Sequence, residues 1–359
     1  MRIGVIVSLT EVGEPAGAAG KGGSPGVSAG TLLPGFSCML VDALGRSILD
    51  RTLDRLTAVT HTQPTIIVES PPVAGLFPCD DMTPNSSPVA WENAIGGHII
   101  SGAHHLLMIR LDTYTDLDFG KLLQSHIDSH NSLTRVYGLT GALDIAAVDA
   151  NSLRDSVATY CQALSRIGLR QKRFLYRGYL KHLGCPRQLR HLVEDGLLGV
   201  SGLKPVGMEI RPGVWYGAGA RVHDSTMIQA PAFIGMKTHI SASCTINGAS
   251  AIEHDCVVDY KSTITQSCVL QSTRIGINLN VRNAIVFDNK LLHLDRGVEI
   301  KCSDPRLIGV TSRPAALSWN LAASLRHRRG FQESVAPTPA KLPAAASVAG
   351  TVTGELKVA

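Results

Sequence analysis

Aliphatic side chains recur at every sixth residue in the second half of this 359-residue chain. The series starts at Ile210 and ends at Leu270, and ten of its eleven members are aliphatic. A second series lies two residues ahead of the first, from Ala220 to Cys268, and contains only Ala, Thr, Ser and Cys. Neither an amphipathic helix nor an alternating hairpin strand repeats in this way.

A period of six suits a chain that is extended along flat sides and turns at corners. Residues two apart in a strand face the same way, so each unit directs one bulky and one small side chain inward. Three units complete a coil, and successive coils pair as parallel strands about 4.8 Å apart. One coil cannot bury its own inner face, so we expect several coils to stack.

Two aliphatic-glycine pairs, Ile234-Gly235 and Ile275-Gly276, start units of this pattern. In this respect the segment resembles the left-handed parallel β-helix of the hexapeptide-repeat superfamily. The resemblance implies a domain over residues 206–303, with a shortened step after Leu270 and a further rung at residues 281–286. Such domains usually trimerise or pack against another domain of the same chain.

The first half of the chain has the pattern of an α/β domain. Apolar runs at residues 1–9, 65–69 and 104–112 predict buried strands, and apolar spacing at residues 48–56 predicts a helix. A glycine-rich stretch at residues 13–30, with Lys21 as its only cation, follows the first strand. Glycine-rich loops after strands commonly bind phosphate through backbone N–H groups. An unstructured insertion is the alternative interpretation.

Two motifs accompany this pattern. Leu-Gly-Arg-Ser-Ile-Leu-Asp-Arg-Thr-Leu begins at residue 44, and Leu-Asp-x-x-Thr-Asp-Leu-Asp-Phe-x-x-Leu-Leu-x-x-His begins at residue 111. With the glycine-rich stretch, they resemble the sugar-1-phosphate nucleotidyltransferases, or NDP-sugar pyrophosphorylases. These enzymes convert an NTP and a sugar 1-phosphate into an NDP-sugar and pyrophosphate, which here would supply polysaccharide precursors.

The resemblance implies a magnesium-dependent site. Asp112 and Asp155 would be the catalytic carboxylates and would hold Mg²⁺. The nucleotide phosphates would contact five residues: Gly20, Lys21, Gly22, Gly23 and Arg46. The implied partners are a nucleotide and a sugar phosphate, with either a homo-oligomer or a homologous catalytic subunit as the protein partner.

The chain also departs from the family pattern. The compact Gly-x-Gly-Thr-Arg loop and the following Lys-Pro lysine are missing, and the interval between Asp118 and Asp155 is shorter than the one in which the family inserts its sugar-binding half. Nucleotidyl transfer depends on cations that neutralise phosphate charge. A catalytically degenerate homologue, acting as a regulatory or scaffolding partner, is therefore the second hypothesis.

A third hypothesis is a hexapeptide-repeat acyltransferase, in which a histidine acts as general base. His254 and His239 are the candidates, because imidazole suits proton abstraction near neutral pH. His254 has carboxylates on both sides, Glu253 and Asp255. The other interpretation of each is a solvated surface histidine.

Composition excludes several other classes. A net charge of +5 and 5% aromatic residues argue against nucleic-acid binding. No apolar run approaches the roughly 20 residues of a membrane span, and the amino terminus lacks the features of a signal peptide. The eight cysteines form no C-x-x-C pair, as expected for a reduced, cytoplasmic protein.

The predicted fold is therefore an α/β nucleotidyltransferase-like (Rossmann-like) domain followed by a left-handed parallel β-helix. We expect the α/β domain at residues 1–150 and a basic helical linker at residues 151–205. After the repeats at residues 206–303, we expect a C-terminal helix at residues 304–330 and a disordered tail at residues 331–359.

Overall fold

The computed structural model describes residues 2–10, 37–69, 88–154, 159–168 and 171–311. The predicted glycine-rich loop, Asp155, most of the predicted C-terminal helix and the predicted tail lie outside these residues.

The first part of the chain, termed here the α/β region, alternates strands with helices. Its elements are β1 (Ile3–Thr10), β2 (Asp42–Ala43), β3 (Arg46–Ser47), α1 (Ile48–Thr60), β4 (Thr65–Glu69), α2 (Pro88–Ile100), β5 (His105–Arg110), β6 (Thr113–Thr115), α3 (Phe119–Asp128), β7 (Leu133–Gly138), β8 (Gly141–Asp149), α4 (Asn151–Arg154), α5 (Tyr160–Gly168), β9 (Lys172–Leu175), β10 (Leu180–His182) and α6 (Pro186–Leu197).

Six of these strands form one mixed sheet in the order β4-β1-β5-β8-β7-β9. Strands β4, β1 and β5 are parallel, whereas β8 is antiparallel to both β5 and β7. Side chains of β1 alternate between the two faces, since successive residues of a strand point to opposite sides. Val5 and Val7 pack with α1, α3 and α6, and Ile6 packs with α2, α4 and α5. The α/β expectation for this part of the chain is confirmed.

The segment expected to be a helical linker differs from that expectation. It contains α4, α5 and α6, but Lys172–Leu175 joins the main sheet as β9, parallel to β7. Leu180–His182 pairs with β6. The basic residues of this segment therefore lie partly on edge strands, where pairing with a neighbouring strand overrides the helical pattern of the sequence.

The second part, termed here the strand stack, consists of short strands. They are β11 (Met208–Arg211), β12 (Val214–Tyr216), β13 (Arg221–Val222), β14 (Met227–Ile228), β15 (Ala232–Ile234), β16 (His239–Ile240), β17 (Thr245–Asn247), β18 (Ser250–Ile252), β19 (Val257–Val258), β20 (Thr263–Thr265), β21 (Cys268–Val269), β22 (Thr273–Ile275), β23 (Asn280–Arg282), β24 (Ala284–Phe287), β25 (Lys290–His293), β26 (Val298–Lys301) and β27 (Ile308–Val310).

Consecutive strands of the stack go to three different sheets in turn, and each strand then pairs in parallel with the strand three positions later. Val214 pairs with Ala232, and Ala232 with Ser250, so paired residues lie three repeat units apart in the sequence. Strands β11 and β25–β27 pair in antiparallel fashion at the margins of two of the sheets.

The inner face of the stack is built by the six-residue series. Seven of its members are buried in the apolar cluster inside the stack: Ile228, Ile234, Ile240, Ile246, Ile252, Val258 and Ile264. Ile210 is an exception. It is 49% exposed because β11 is an antiparallel strand at the edge, outside the parallel ladder.

Residues at the corners adopt a left-handed backbone conformation. Nine non-glycine residues from Lys237 to Asn283 have a φ of 45–59°, namely 237, 243, 249, 255, 261, 266, 272, 278 and 283. Their spacing is six residues, except for two steps of five. The turn at each corner thus follows the same period as the aliphatic residues.

The first five-residue step changes the register earlier than the sequence pattern predicts. Gln266 takes the corner conformation five residues after Lys261, so Ile252 pairs with Val269 rather than Leu270. Ser267, instead of Cys268, then occupies the buried small position next to Ser250. The shortened step lies before Leu270, not after it.

Small residues in the second series connect adjacent coils. The hydroxyl groups of Thr238 and Ser262 donate to the carbonyl oxygens of Glu253 and Gly276, each in the next coil. The Cys256 thiol occupies an equivalent place and lies 3.1 Å from the carbonyl oxygen of Leu270. Burial raises the pKa of this thiol, so its role is that of a small buried group.

One side of the stack packs on the α/β region. Four outward residues belong to the same apolar cluster as α6: Phe233, Ala251, Cys268 and Ile285. Arg190 of α6 is buried and donates to the carbonyl oxygens of Gln266 and Gly248. The two parts of the chain therefore share one continuous core.

Residues 304–311 contain β27, which is antiparallel to β22. The described start of the predicted C-terminal helix is therefore a turn and a strand. No helix among the described residues is both long and apolar enough to cross a membrane.

Candidate functional site

The carboxyl ends of β1, β4 and β5 meet at one edge of the mixed sheet, where ligands bind in open α/β sheets. A buried polar group lies there. The hydroxyl of Ser8 and the indole N–H of Trp91 both donate to Glu69 Oε1, at 2.7 and 2.6 Å. Arg110 donates to Glu69 Oε2 at 2.9 Å.

This group extends across the sheet to β8 and β7. Arg110 Nη1 lies 3.5 Å from Asp144 Oδ2, and Arg135 Nη2 lies 3.1 Å from Asp144 Oδ1. The five charged and polar side chains Ser8, Glu69, Arg110, Asp144 and Arg135 are termed here the edge network. Its two guanidinium groups are balanced by two carboxylates, as buried charges require.

Asp112 lies two residues beyond the end of β5, beside the end of β1. The preceding residue, Leu111, donates its N–H to the Ser8 carbonyl oxygen at 2.8 Å. The chain of β1 continues from this same edge into the glycine-rich stretch. Asp112 therefore lies beside the carboxyl end of β1 at this edge of the sheet.

The Asp112 side chain is 39% exposed. Thr113 donates its hydroxyl to Asp112 Oδ1 at 2.8 Å, and His182 Nδ1 lies 3.9 Å from Oδ2. Burial raises the pKa of Asp112, the Thr113 hydrogen bond and His182 oppose this rise, and Asp144 adds to it. The carboxylate is thus partly exposed, with Thr113 at Oδ1 and His182 near Oδ2.

Asp155 cannot be placed, because it lies outside the described residues. Arg154, the residue before it, donates to the Ala103 carbonyl oxygen at the amino end of β5. That is the opposite end of the strand from Asp112. Among the described residues, Asp144 is the carboxylate whose charge acts on Asp112.

Of the five predicted phosphate-binding residues, Arg46 is the one within the described part of the chain. Gly20, Lys21, Gly22 and Gly23 lie outside the described residues. The Arg46 side chain pairs with Asp54, and both are partly exposed. The hairpin of β2 and β3 that carries Arg46 contacts the strand stack through Glu253. Within the described part of the chain, Arg46 forms no hydrogen bond or ion pair with Asp112.

Of the two candidate histidines, His254 is engaged in a contact between the two parts of the chain. Its Nδ1 lies 2.7 Å from Asp42 Oδ2. Burial lowers the pKa of His254, but the hydrogen bond and charge of Asp42, with Glu253 and Asp255, outweigh burial and raise it. The orienting carboxylate therefore comes from Asp42 of the α/β region.

His239 has a different environment. It is exposed on β16 and lines a cavity of about 490 Å³ together with Arg221 and Lys237. Among the described residues, His239 forms no ion pair with a carboxylate that would orient it as a general base.

The fit of Mg²⁺ follows from the available oxygen atoms. Among the described residues, no group of three or more His, Cys, Asp or Glu side chains could hold a metal ion. Asp112 offers a carboxylate that is 39% exposed, while both oxygens of Asp144 face guanidinium groups. Mg²⁺ is usually held by one or two carboxylates plus substrate phosphates and water. Asp112 fits that mode of binding.

In comparisons with known proteins, no protein-family model matches this chain. The curated proteins contain no match either. The edge network and Asp112 therefore carry the functional argument.

The edge network was missed by sequence reasoning, although the sequence contains a signal for it. Glu69 ends the apolar run Thr-Ile-Ile-Val-Glu, and Arg110 ends the run His-Leu-Leu-Met-Ile-Arg. Opposite charges at the carboxyl ends of two buried parallel strands meet at one edge. Asp144 and Arg135 had no comparable signal, because their positions depend on the antiparallel pairing of β8.

Proposed function

We propose that this chain is a sugar-1-phosphate nucleotidyltransferase-like protein that binds a nucleotide and a sugar phosphate at the carboxyl edge of the mixed sheet. The observation that carries the proposal is the position of Asp112. Its carboxylate is 39% exposed and lies beside the end of β1, the strand that the glycine-rich stretch follows in the sequence. A carboxylate with a glycine-rich loop beside it would suit a phosphate-bearing ligand with its metal ion.

The proposal includes the finer fold assignment. The α/β region would be a nucleotidyltransferase-like domain, and the strand stack a left-handed parallel β-helix. Three parallel ladders, coils built of three repeat units and left-handed corner residues support a β-helix. The left-handed sense of the coil rests on the resemblance to hexapeptide-repeat proteins.

In the catalytic form of the proposal, Asp112 Oδ2 would hold Mg²⁺, and the glycine-rich loop with Lys21 would enclose the nucleotide phosphates. Bound Mg²⁺ neutralises phosphate charge as it develops during transfer. A phosphate oxygen of the sugar 1-phosphate attacks the α-phosphorus of the nucleotide. The bond to the β-phosphate breaks, and pyrophosphate leaves with its electron pair.

One observation favours a non-catalytic form of the same protein. Arg110 and Arg135 are both held in ion pairs with Asp144, and the charged groups that act on Asp112 are His182 and Asp144. Transfer needs cations that face the phosphates. In the catalytic form, Lys21 of the glycine-rich stretch would have to supply that charge. A homologue that binds a nucleotide without turnover, as a regulatory or scaffolding subunit, is therefore the second candidate.

Both forms are tested with purified protein, Mg²⁺, the common NTPs and a set of sugar 1-phosphates. Pyrophosphate release is measured for the wild type and Asp112→Asn, with Asp224→Asn as an exposed control of the same charge change. Turnover that falls at least 100-fold in Asp112→Asn and is unchanged in Asp224→Asn supports the catalytic form.

Nucleotide binding is measured in the same samples by calorimetry. Saturable binding without pyrophosphate release supports the non-catalytic form. If the wild type neither binds any NTP nor releases pyrophosphate, both forms are wrong.

A further inference from the structure

A cavity of about 490 Å³ lies on the outside of the strand stack, on the sheet that contains β13, β16 and β19. Its lining residues are Gly219, Arg221, Lys237, His239, Asp255, Cys256, Val257 and Thr311. The volume falls within the range of about 300–1,000 Å³ that is typical of small-molecule sites.

The coil geometry brings the basic side chains of this cavity together. Arg221 of β13 and His239 of β16 are direct neighbours in the parallel ladder, so their side chains point outward from adjacent rungs. Lys237 occupies the left-handed corner just before β16, and its N–H donates to the Ala218 carbonyl oxygen at 3.0 Å. Gly219, at the equivalent corner of the previous coil, has no side chain to fill the space beside the Lys237 stem.

The charge of the cavity is positive. Arg221 and Lys237 are the cationic residues, His239 adds an imidazole, and Asp255 is the one acidic residue among the described lining residues. Within the described ranges, Arg221, Lys237 and His239 form no ion pair. Arg274, the next cation in the same ladder, differs because it pairs with Asp259 at 2.7 Å.

We propose that this cavity is a second anion site, separate from Asp112, that binds a small phosphorylated metabolite. An arginine guanidinium can contact two phosphate oxygens, and a lysine ammonium adds a point charge. His239 and the Thr311 hydroxyl add polar groups at the wall. A phosphomonoester matches this set better than a carboxylate, because its three terminal oxygens can contact several donors at once.

The proposal goes beyond the nucleotidyltransferase-like function and does not depend on it. The cavity is formed by strands of the stack, whereas Asp112 lies at the edge of the mixed sheet. Failure of either proposal therefore leaves the other intact.

The test is a titration of the full chain with inorganic phosphate and with glycerol 3-phosphate, against sodium chloride at matched ionic strength. Binding is followed by calorimetry and by the proton NMR signals of the 13 histidines. The His239 signal is identified by its loss in His239→Asn. We expect saturable binding that shifts the His239 signal.

The double variant Arg221→Gln/Lys237→Gln should weaken binding at least tenfold. Its matched control is Arg274→Gln/Lys261→Gln, which removes the same charges from the same stack outside the cavity lining. The control should stay within twofold of wild type, and Asp112→Asn should leave phosphate-induced movement of the His239 signal unchanged.

Two results would overturn the proposal. One is a wild-type response to phosphate no larger than the response to chloride. The other is equal weakening in both double variants, because that would indicate a general effect of net charge. Circular dichroism of each variant checks that the fold is retained.

Discussion

His254 Nδ1 of the strand stack lies 2.7 Å from Asp42 Oδ2 of the α/β region. The neighbouring Glu253 is fully buried and accepts N–H bonds from Leu44 and Gly45, both at 2.8 Å. These contacts join the hairpin of β2 and β3 to the stack. The contact between the two parts of the chain therefore contains ionisable groups, and its strength depends on pH.

The first prediction concerns Glu253. Burial and the nearby Asp42 charge raise the pKa of Glu253 from 4.5 to about 7, against the effect of its two N–H bonds. Because the pKa of Glu253 is higher in the folded state, the protonated carboxyl stabilises the folded state relative to the ionised one. This contribution to the unfolding free energy is complete below pH 4.5 and is lost as pH rises through about 7. His254, whose pKa is also raised, acts in the same direction.

The pH effect is measured as the difference in unfolding free energy between wild type and Glu253→Gln. Between pH 5 and pH 8, the unfolding free energy of Glu253→Gln should rise relative to that of the wild type by on the order of 2–3 kcal/mol. A difference is needed because other groups oppose the trend: burial lowers the pKa of His126 to about 4. Glu299→Gln, at an ion pair with Lys290 on β25, is the control. A constant difference across this pH range would contradict the prediction.

The second prediction concerns the inner face of the stack. Ile246 is fully buried and pairs with Ile228 and Ile264 in its ladder. Ile246→Ala should lower the unfolding free energy by about 2–5 kcal/mol, because it leaves a cavity between two coils. Met227→Ala, on a side chain that is 67% exposed, should change it by less than about 1 kcal/mol. Urea unfolding measures both, and equal effects would show that Ile246 is not a core residue.

The third prediction concerns Gly235, where a coil passes close to the next. A Cβ atom there would lie 2.4 Å from the Glu253 carbonyl carbon and 2.5 Å from the His254 nitrogen. Gly235→Ala should therefore destabilise the chain by about 1–3 kcal/mol or more, since backbone must move. Gly97→Ala, in α2 with open space around it, should stabilise it by about 0.5–1 kcal/mol. A melting temperature that does not fall in Gly235→Ala would exclude the close contact.

The fourth prediction concerns Glu69 of the edge network. Glu69→Gln removes the buried carboxylate that accepts from Ser8, Trp91 and Arg110, and it leaves Arg110 with Asp144. We expect a loss of about 3–5 kcal/mol, as for other buried ion pairs that lose one partner. The indole of Trp91 loses its charged acceptor, so its fluorescence should also change. Asp54→Asn, in the exposed pair with Arg46, should cost less than about 1 kcal/mol. Similar losses of unfolding free energy in Glu69→Gln and Asp54→Asn would contradict the prediction.

The repeats were predictable because their period comes from the geometry of the chain itself. An inward side chain every six residues is required at each side of the coil, so Ile228 through Ile264 could be assigned from spacing alone. The shortened step could not. A coil of full length would place Leu270 inside and Cys268 in the small position, and both residues suit those places. Pairing with the neighbouring coil decides between the two registers.

The candidate site was predictable only in part. Asp112 follows an apolar run, and the end of a buried parallel strand is a recognisable place for a ligand-binding residue. His254 contacts Asp42, and Arg110 contacts Asp144, and neither contact could be predicted in this way. The two residues of each pair are distant in the sequence. The packing of the two parts brings the first pair together, and antiparallel strand pairing brings the second pair together. Local sequence contains no information about either contact.

The shortened coil has a consequence for how this chain can vary in length. Omitting one residue at the corner around Gln266 keeps Val269 behind Ile252 and Cys268 behind Ala251. Neither the interior of the coils nor the side packed against α6 is disturbed. The corners at Gln266 and Asn283 thus accommodate the loss of one residue each, while the strands between corners stay paired with those of the neighbouring coils.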